Sequence, residues 1–584
     1  MTTTETTAAR TSARTAPTQP TEPLETIEPL RTRVRSIVAR AWDAAIASGA
    51  LPPIDEPDRP ALELERPPRP EHGDFATSVA LKLARPYRRS PLEIARAIAT
   101  ELERIAQAAP TDSPVASVAV APPGFVNLRL ADRALEETIA EILRRPAAWG
   151  RVRVDAGRRV NVEFVSANPT GPLTVGNARG AFVGDLLCRV LEAGGQLVTR
   201  EYYFNDSGAQ IRNLGASVIA LREGRPIPDD GYRGDYVADL AGSLPDEVWE
   251  AAHAADADPP TIVGRWAAEK VRAGIEASLA RLGVRFDVWK TERSLYEEGW
   301  VARAIDRLRE AGHIYERDGA LWFRSTAFGD DKDRVVVRSN GDPTYFASDI
   351  GYLLEKFSRG FDHLIYIWGA DHHGTVARVR NAAQAMGFDR ERVEMLLTGW
   401  VRFVRDGVEV SMSKRAGTFV TLDELLAEVG VDAARWFFGS RGANVDIDFD
   451  IELAKRQSSE NPVYYVQYAH ARIASILRKA AEAGLAPGDT VAGWLGQGPE
   501  SSLARAVVRF PEVVEDAVRE HATHGITGFA TDLATTFHAF YRDARVVDPD
   551  EPERSRARLA LVAATRITLA NALGLLGISA PESM

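Results

Sequence analysis

The chain has 584 residues, 45% of them apolar and 26% charged, and at roughly 100 to 200 residues per domain this length predicts about three or four domains. One cysteine, Cys188, excludes a disulfide scaffold or a paired-cysteine zinc module and fits a reducing cytoplasm. The net charge of −11 means that a nucleic acid would have to be held by a local basic face or by shape. The most apolar stretch, 559–580, contains Arg566, so we expect a buried helix and no membrane span.

The chain begins with a polar segment that is followed by a first folded unit. Residues 1–25 are mainly Thr, Ala and Pro, and we expect a disordered tail because they have little to bury. Residues 26–140 predict an α+β domain. Ser90 and Glu93 form a capping box at the start of an amphipathic helix, and apolar runs at 115–120 and 125–130 flank an Ala-Pro-Pro-Gly turn.

Residues 150–425 predict a Rossmann-type domain with a parallel sheet. Residues 159–165 alternate as a strand, 166–172 form a Gly/Pro-rich loop, and a helix opens near Gly176 and stops at Gly194. Strand-like runs at 320–323, 334–338 and 363–368 alternate with helical runs at 294–311, 349–357 and 374–386, as a parallel sheet requires. The stretch near 213–265 is rich in Asp, Pro and Gly and is predicted to be an insertion.

Residues 430–584 predict a helical domain, since every long segment after a second capping box at Thr421 and Glu424 has helical spacing. The fold class is therefore multidomain, with an α/β Rossmann-type core, an N-terminal α+β domain and a C-terminal all-α domain.

Two loops carry residues suited to phosphate. The loop 168–179 leads into a helix N-terminus, where backbone N–H groups and the helix dipole favour anions. The segment 409–417 (EVSMSKRAG) combines hydroxyls, cations and glycine, which can wrap a polyphosphate. Taken singly, the first is equally well a tight turn without ligand and the second a solvated basic turn.

Taken together, the ANPTGPL turn and the MSKRAGT loop resemble the two signatures of class I aminoacyl-tRNA synthetases. The remaining motifs narrow the resemblance to arginyl-tRNA synthetases. GDFATSVALKLAR and PPGFVNLRL are similar to that family's N-terminal tRNA-binding domain, EYYFNDSGAQI, GDPTYFASDIGYLLEK and WGADHHG to its catalytic core, and NPVYYVQYAHARI and LANALGLLGISAPESM to its anticodon-binding domain. The resemblance implies ATP-dependent formation of arginyl-adenylate and transfer of arginine to the 3′ end of its tRNA.

The residue types favour arginine as substrate, because a guanidinium is best held by carboxylates that accept in bidentate fashion. Glu163 lies on the polar face of the first strand of the core. Tyr345 and Asp349, one helical turn apart, share a helix face, so phenol and carboxylate can converge on one ligand, and all three residues are expected to bind the substrate. Singly these would be ordinary salt-bridging carboxylates and a half-buried tyrosine. The resemblance adds Ser166, Asn168 and Asp371 as substrate-binding residues, with Asp371 and His372 near the ribose.

The resemblance also implies the other functional residues. Those expected to be catalytic are Thr174, Asn177, Arg179 and Lys414. Those expected to bind ATP are Gly171, Thr174, Gly176, Asn177, His372, Met412, Ser413 and Lys414. Those expected to bind tRNA are Phe125, Asn127, Tyr464, Tyr465, Tyr468 and Arg472, although tyrosines four residues apart are equally well core packing. Adjacent His372 and His373 lack a third ligand at a recognised spacing, so we expect no protein-bound metal and Mg²⁺ carried with ATP.

The chain departs from the family pattern in both signatures. Thr174-Val-Gly-Asn177 stands where the family has His-x-Gly-His, and Ser411 stands where many class I enzymes have a lysine. Neutral donors cannot supply a full positive charge, and loss of one donor can lower a rate about 10²- to 10³-fold.

From the resemblance as a whole, we expect a cytoplasmic, monomeric arginyl-tRNA synthetase. The alternatives are a catalytically weak paralogue that binds tRNA or arginine as a regulator, and a nucleotidyltransferase without an RNA partner.

Overall fold

The computed structural model describes residues 25–109, 113–410, 421–496 and 498–584. The N-terminal tail expected at 1–25 lies almost entirely outside these ranges. The helices and strands of the first unit, in chain order, are α1 (Leu30–Ala47), β1 (Phe75–Thr77), α2 (Val79–Tyr87), α3 (Pro91–Ala108), β2 (Val115–Ala121), β3 (Phe125–Leu130) and α4 (Asp132–Arg144).

The first unit is an antiparallel three-stranded sheet in the order β1-β3-β2, packed against helices. The expected strand, turn and strand are present. Ser90 caps α3 by accepting from the Glu93 N–H at 3.2 Å, and the Glu93 side chain accepts from the Ser90 N–H at 3.3 Å, so the capping box is confirmed.

The central unit contains most of the elements. Its first half comprises β4 (Arg159–Glu163), α5 (Val175–Ala193), β5 (Leu197–Phe204), α6 (Ala209–Arg222), α7 (Asp235–Gly242), α8 (Asp246–Ala252), α9 (Pro259–Arg281), β6 (Val288–Thr291), α10 (Glu292–Glu297), α11 (Trp300–Glu310), β7 (Ile314–Arg317), β8 (Ala320–Phe323) and β9 (Arg334–Val337). Its second half comprises α12 (Tyr345–Ser358), β10 (His363–Gly369), α13 (His373–Ala385), β11 (Val393–Thr398), β12 (Val401–Arg405), β13 (Val408–Glu409), α14 (Leu422–Val429), α15 (Val431–Gly439), β14 (Ile447–Asp450) and α16 (Ile451–Lys455).

Five of these strands form a parallel sheet in the order β11-β10-β4-β5-β6. The chain leaves β4 toward β5 and β6 on one side and returns to β10 and β11 on the other. This reversal creates a crevice at the carboxyl ends of β4 and β10, which is where open α/β sheets bind ligands. The stretch predicted as an insertion lies in the β5-to-β6 crossover, which contains α6 to α9.

Three expectations about local structure are wrong. The runs at 320–323 and 334–338 belong to a separate antiparallel sheet, β7-β8-β9, because the two-residue turn Asp318-Gly319, with φ of 53° and 73°, can join only antiparallel strands. The helical run at 294–311 is two helices, α10 and α11, separated at Gly299 with φ of 74°.

The third wrong expectation concerns the start of the all-α region. β14 lies inside the segment predicted to be helical, and it pairs with β12 in the β13-β12-β14 sheet. Beyond it the described residues are helical, with α17 (Pro462–Glu482), α18 (Pro499–Val508), α19 (Phe510–Glu520), α20 (Gly525–Asp543) and α21 (Pro552–Leu576). The capping box of Thr421 and Glu424 at α14 is confirmed.

Helix α21 is the one described helix long and apolar enough to cross a membrane by length and composition. Most of its apolar side chains are buried in the helical bundle, including Leu559, Leu561, Val562 and Leu569, so it is built as a core helix.

Ion pairs join the outer units to each other and to the core. Arg31 of α1 contacts Glu515 at 2.8 Å and Asp516 at 2.6 Å on α19. Glu394 of β11 accepts from His363 at 3.0 Å and from His521, at the end of α19, at 2.9 Å. The helical domain therefore contacts both the first unit and the parallel sheet.

Candidate active site

The turn after β4 has an unusual backbone. Val165 and Ser166 have φ of 67° and 41°, in the left-handed region that a β-branched residue rarely adopts. Tyr202 of β5 holds the turn, since its hydroxyl donates to the Ala167 carbonyl at 2.9 Å and accepts from the Ala167 N–H at 3.1 Å. Ser166 Oγ accepts from the Tyr203 N–H at 3.1 Å. Strain of this kind is kept where the surroundings impose it, commonly at functional sites.

Glu163, the last residue of β4, is buried and already ion-paired. Its Oε2 accepts from Lys356 Nζ at 2.6 Å, and its Oε1 accepts from Ser166 Oγ at 3.2 Å. Burial raises the pKa of Glu163 even though Lys356 works against the shift. Sequence reasoning placed Glu163 within a strand that it extended to Val165, and it missed Lys356.

Asp349 of α12 is a half-buried carboxylate with no hydrogen bond or ion pair to the residues that the structure describes. Burial, with a smaller contribution from the nearby Glu163 and Glu292, raises its pKa to about 7. Tyr345, one turn earlier on the same helix, has 72% of its surface exposed. The helical spacing expected for Tyr345 and Asp349 is therefore present, with the tyrosine facing outward.

Two further residues lie near Glu163 and Asp349 and were not expected from the sequence. Glu292 opens α10, is buried, and accepts from Ser348 Oγ at 2.8 Å without an ion pair to any described cation. Tyr203 of β5 lies close enough to Glu163, Asp349 and Glu292 for all three to raise its pKa, after burial itself. We call Glu163, Tyr203, Glu292 and Asp349 the carboxylate pocket. Tyr203 lies within EYYFNDSG, but nothing local marked Glu292.

Asn168 lies exposed on the turn, and both ends of its amide are engaged. Its Nδ2 donates to Gln210 Oε1 at 2.8 Å, and its Oδ1 accepts from the Asn205 N–H at 3.0 Å. Gly171 sits on the same turn beside Tyr236 of α7, whose hydroxyl donates to the Thr170 carbonyl at 2.8 Å. The crossover helices thus support the turn from outside.

Helix α5 begins with Thr174 and Asn177 in a capping box. Asn177 Oδ1 accepts from the Thr174 N–H and from the Thr174 hydroxyl, each at 3.1 Å. Asn177 Nδ2 donates to no described residue, and Gly176 in the same turn is exposed. A free amide donor and the helix N-terminus therefore face outward together, which is the arrangement that favours an anion.

Arg179 corrects an expectation. It is 1% exposed, and its guanidinium donates to the carbonyls of Trp400 at 3.3 Å, Gly442 at 2.9 Å and Val445. Burial lowers its pKa. A guanidinium committed to three carbonyls is not available to a phosphate, so Arg179 ties α5 to the β12 and β14 segments instead of contacting ATP.

Asp371 and His372 follow β10, whose Tyr366 pairs in register with Glu163 of β4. Both side chains are exposed, with His372 Nε2 and Asp371 Oδ2 3.7 Å apart, and the His372 ring lies 5.5 Å from Trp368. They therefore stand at the same sheet edge as the turn. In the described ranges, no group of three or more His, Cys, Asp or Glu could hold a metal ion.

The second signature cannot be placed. Met412, Ser413 and Lys414, together with Ser411 and Arg415, lie outside the described residues. The next described residue, Thr421, forms an antiparallel bridge with Thr174, and the Leu422 N–H donates to the Leu173 carbonyl at 2.9 Å. Helix α14 therefore starts beside the start of α5.

The expected tRNA-binding residues lie on two separate surfaces. Phe125 and Asn127 alternate with buried Val126 and Leu128 on β3, so they share the outward face of the first sheet. On α17, Tyr464 and Tyr468 are stacked with ring centroids 6.5 Å apart, and the Arg472 guanidinium lies 5.1 Å from the Tyr468 ring.

These α17 aromatics differ in exposure. Tyr468 is 38% exposed, whereas Tyr465 packs against His538 with ring centroids 5.0 Å apart. Tyr464, Tyr468 and Arg472 thus form a partly exposed ladder, and Tyr465 is closer to the core.

Comparison with known proteins places the chain in a class. The family described as tRNA synthetases class I (R), catalytic domain, matches residues 263–441. A Rossmann-type sheet with its crevice at the carboxyl ends of β4 and β10 is what this class requires. The chain is therefore a class I aminoacyl-tRNA synthetase. The arginyl-tRNA synthetase N-terminal domain matches residues 32–130, and the DALR anticodon-binding domain matches 466–584.

Whole-chain relatives complete the assignment. An arginine–tRNA ligase of Citrifermentans bemidjiense is 45% identical over 95% of this chain and 100% of its own length, and that of Bacillus subtilis is 41% identical over 94% and 99%. The Thermus thermophilus arginyl-tRNA synthetase structure has a TM-score of 0.73 at 25% identity, covering 95% of this chain and 100% of its own. The chain belongs to the arginyl-tRNA synthetase family and has the activity of an arginine–tRNA ligase.

Proposed function

We propose that the carboxylate pocket binds the guanidinium of L-arginine. Asp349 carries the proposal, because it is a half-buried carboxylate with no partner among the described side chains. Glu163 and Glu292 stand close by, so a cation is stabilised there. Citrulline has no charge to offer, and lysine offers a compact ammonium where a planar fork matches carboxylate geometry better.

We further propose that the turn after β4 positions the rest of arginine. Ser166 and Asn168 follow Glu163 on the turn that leads along the chain to α5, and we assign to them the α-amino and carboxylate groups of the substrate. The polar atoms of Asn168 are satisfied by Gln210 and the Asn205 N–H in the free protein, so the substrate would exchange these bonds rather than fill an unsatisfied site.

ATP, which class I synthetases use, is proposed to place its phosphates at the α5 N-terminus. There Thr174, Gly176 and Asn177 present a hydroxyl, backbone N–H groups and the free Asn177 amide. The arginine carboxylate would attack the α-phosphorus to give arginyl-adenylate and pyrophosphate. A ribose hydroxyl of the tRNA 3′ end would then attack the arginyl carbonyl, breaking the anhydride bond and releasing AMP. Bound Mg²⁺ would supply charge neutralisation on the phosphates. Lys414 would add a cation, and Asp371 and His372 would line the ribose side.

Substrate tRNA is proposed to contact both outer units. The outward face of the first sheet offers Phe125 and Asn127, and the α17 ladder offers Tyr464, Tyr468 and Arg472. Unstacked RNA bases bind to aromatic and guanidinium planes. We also propose that the protein acts as a monomer in the cytoplasm.

The test is ATP-dependent charging of bulk tRNA with each of the twenty labelled amino acids. We expect charging with arginine alone. A protein that binds arginine and tRNA but forms no arginyl-tRNA with ATP and Mg²⁺ would instead be a regulatory paralogue, and charging with a different amino acid would refute the carboxylate pocket as a guanidinium site.

A further inference from the structure

Lys356 is a fully buried lysine at the back of the carboxylate pocket. Its side chain has 0% exposure, and its ammonium lies 2.6 Å from Glu163 Oε2. The same nitrogen lies 4.4 Å from the Tyr352 ring centroid and 4.0 Å from that of Tyr366. Lysine is almost never this buried unless it is paired, and the two aromatic faces add cation–π attraction to the ion pair.

The neighbouring charges show what this ammonium does. Glu201, the register neighbour of Glu163 on β5, accepts from Asn161 Nδ2 at 2.6 Å and from Arg359 at 2.8 Å. Burial pushes the pKa of Glu201 up, but Lys356 and Arg359 hold it below the ordinary value. Lys356 thus pairs with Glu163 and also lowers the pKa of Glu201, while Arg359 pairs with Glu201 itself. Asp349 and Glu292 pair with no cation among the described residues.

We propose that Lys356 is a positioning residue for arginine recognition, which fixes the orientation and negative charge of Glu163 so that the substrate guanidinium is directed to the unpaired Asp349. The inference rests on the proposed function of the carboxylate pocket and adds to it a residue that does not itself touch the substrate.

The geometry gives the reason. Lys356 takes Glu163 Oε2 and Ser166 takes Oε1, so the carboxylate cannot rotate without breaking one of two bonds. Burial raises the pKa of Glu163 while Lys356 lowers it. Without the ammonium, the pKa of the buried carboxyl would rise further, and a neutral carboxyl attracts a guanidinium far less than an anion does.

The experiment is a double-mutant cycle with Lys356→Met, Glu163→Gln and the pair combined. Arginine affinity is measured by calorimetry, and the KM values for arginine and ATP by tRNA charging, at pH 6 to 9. Lys356→Met should raise the arginine KM about tenfold or more while the ATP KM changes less than about twofold. It should also move the pH at which arginine affinity is half lost to a higher value, because Glu163 now titrates. Glu163→Gln should raise the arginine KM by a similar factor, with no such movement.

The combined variant decides whether Lys356 acts through Glu163. We expect it to bind arginine no more weakly than Glu163→Gln alone, since the ammonium has no carboxylate left to hold. Full multiplication of the two single effects would overturn the proposal. So would a Lys356→Met protein with the wild-type arginine KM and pH profile.

Two further variants separate positioning from folding. Lys82→Met removes an exposed ammonium of α2 that pairs with Glu63 in the first unit, and should leave the arginine KM unchanged. Lys356→Arg keeps the charge and should keep the wild-type pH midpoint even if its larger head raises the KM. If Lys356→Met does not fold, the pH midpoint of Lys356→Arg decides, and a midpoint moved upward would overturn the role of charge.

Failure of the inference differs from failure of the proposed function. If Asp349→Asn and Glu163→Gln both bind arginine as the wild type does, the carboxylate pocket is not the arginine site. If both lose affinity while Lys356→Met does not, the pocket stands and only the role of Lys356 is refuted.

Discussion

Arginine binding should depend on pH through Asp349. In the free protein burial raises the pKa of this carboxyl to about 7, with Glu163 and Glu292 adding to the shift. A bound guanidinium favours the ionised form, so binding must remove the proton. Affinity is therefore full above pH 7 and falls as pH drops below it, until the pKa of the complex is reached.

The size of the effect follows from the pKa. For one group with a pKa near 7 that ionises on binding, affinity falls about tenfold between pH 8 and pH 6, equivalent to about 1.4 kcal/mol, and about half a proton is released at pH 7. The arginine guanidinium stays charged throughout this range. The same raised pKa makes the free protein less stable as pH rises from about 4 to 7, since the unfolded chain has already lost the proton.

Calorimetry of L-arginine binding at pH 6, 7 and 8, in two buffers of different ionisation enthalpy, measures both affinity and proton release. Asp349→Asn should bind at least about tenfold more weakly at pH 8 and should show no pH dependence from this group. Asp318→Asn, which alters an exposed carboxylate in the β7–β8 turn, is the matched control and should behave as the wild type. Wild-type affinity that is constant from pH 6 to 8, with no proton released, would refute the assignment of Asp349.

Three other outcomes are expected. Asn177→Ala should lower arginyl-adenylate formation about 10²-fold with little change in arginine affinity; Asn177→Asp, which keeps an acceptor for the α5 cap, should also fail, and full activity in it would show that the amide donor is not needed. Tyr468→Ala should weaken tRNA binding by about 1 to 3 kcal/mol without affecting the arginine KM, and unchanged tRNA affinity would return Tyr468 to core packing. Glu394→Gln should lower the free energy of unfolding by about 1 to 2 kcal/mol at pH 7, because two histidine hydrogen bonds, opposing burial, hold the pKa of Glu394 at about 2. This contribution to stability is present above about pH 4 and is lost as pH falls toward 2. The difference in thermal unfolding between the variant and the wild type should therefore narrow at pH 3.

The parts of the site that the sequence predicted depend only on residues close together in the chain. The alternation of β4, the turn and the α5 start lie within about twenty consecutive residues, and the structure has each of them. Capping boxes were equally readable, since a cap needs only two residues three positions apart. The turn Asp318-Gly319 was overlooked, and the antiparallel strands next to it were assigned to the parallel sheet.

The parts that sequence could not predict depend on partners far away in the chain. Arg179 follows the turn predicted to bind phosphate and was expected to be catalytic, yet its acceptors are more than 220 positions later, with separations of 221, 263 and 266 residues. Lys356 lies 193 residues from Glu163. The spacing of apolar residues along the chain cannot predict such contacts, because they are set by how β4, α12 and β12 pack together.

Thr174 and Asn177, which stand where the family has two histidines, can be explained by the two charges of arginyl-adenylate, the product of the first step. Arginyl-adenylate carries a guanidinium at one end and a phosphate at the other, so the crevice must offer negative charge on one side of the turn and positive charge on the other. The unpaired carboxylates Asp349 and Glu292 provide the first. On the second side the α5 N-terminus contributes partial positive charge, and Asn177 completes its cap with Oδ1 while its Nδ2 remains free. With the carboxylate pocket as the proposed arginine site, a neutral amide in that position would donate to the phosphate without adding a full cation that would compete with the substrate guanidinium for Asp349.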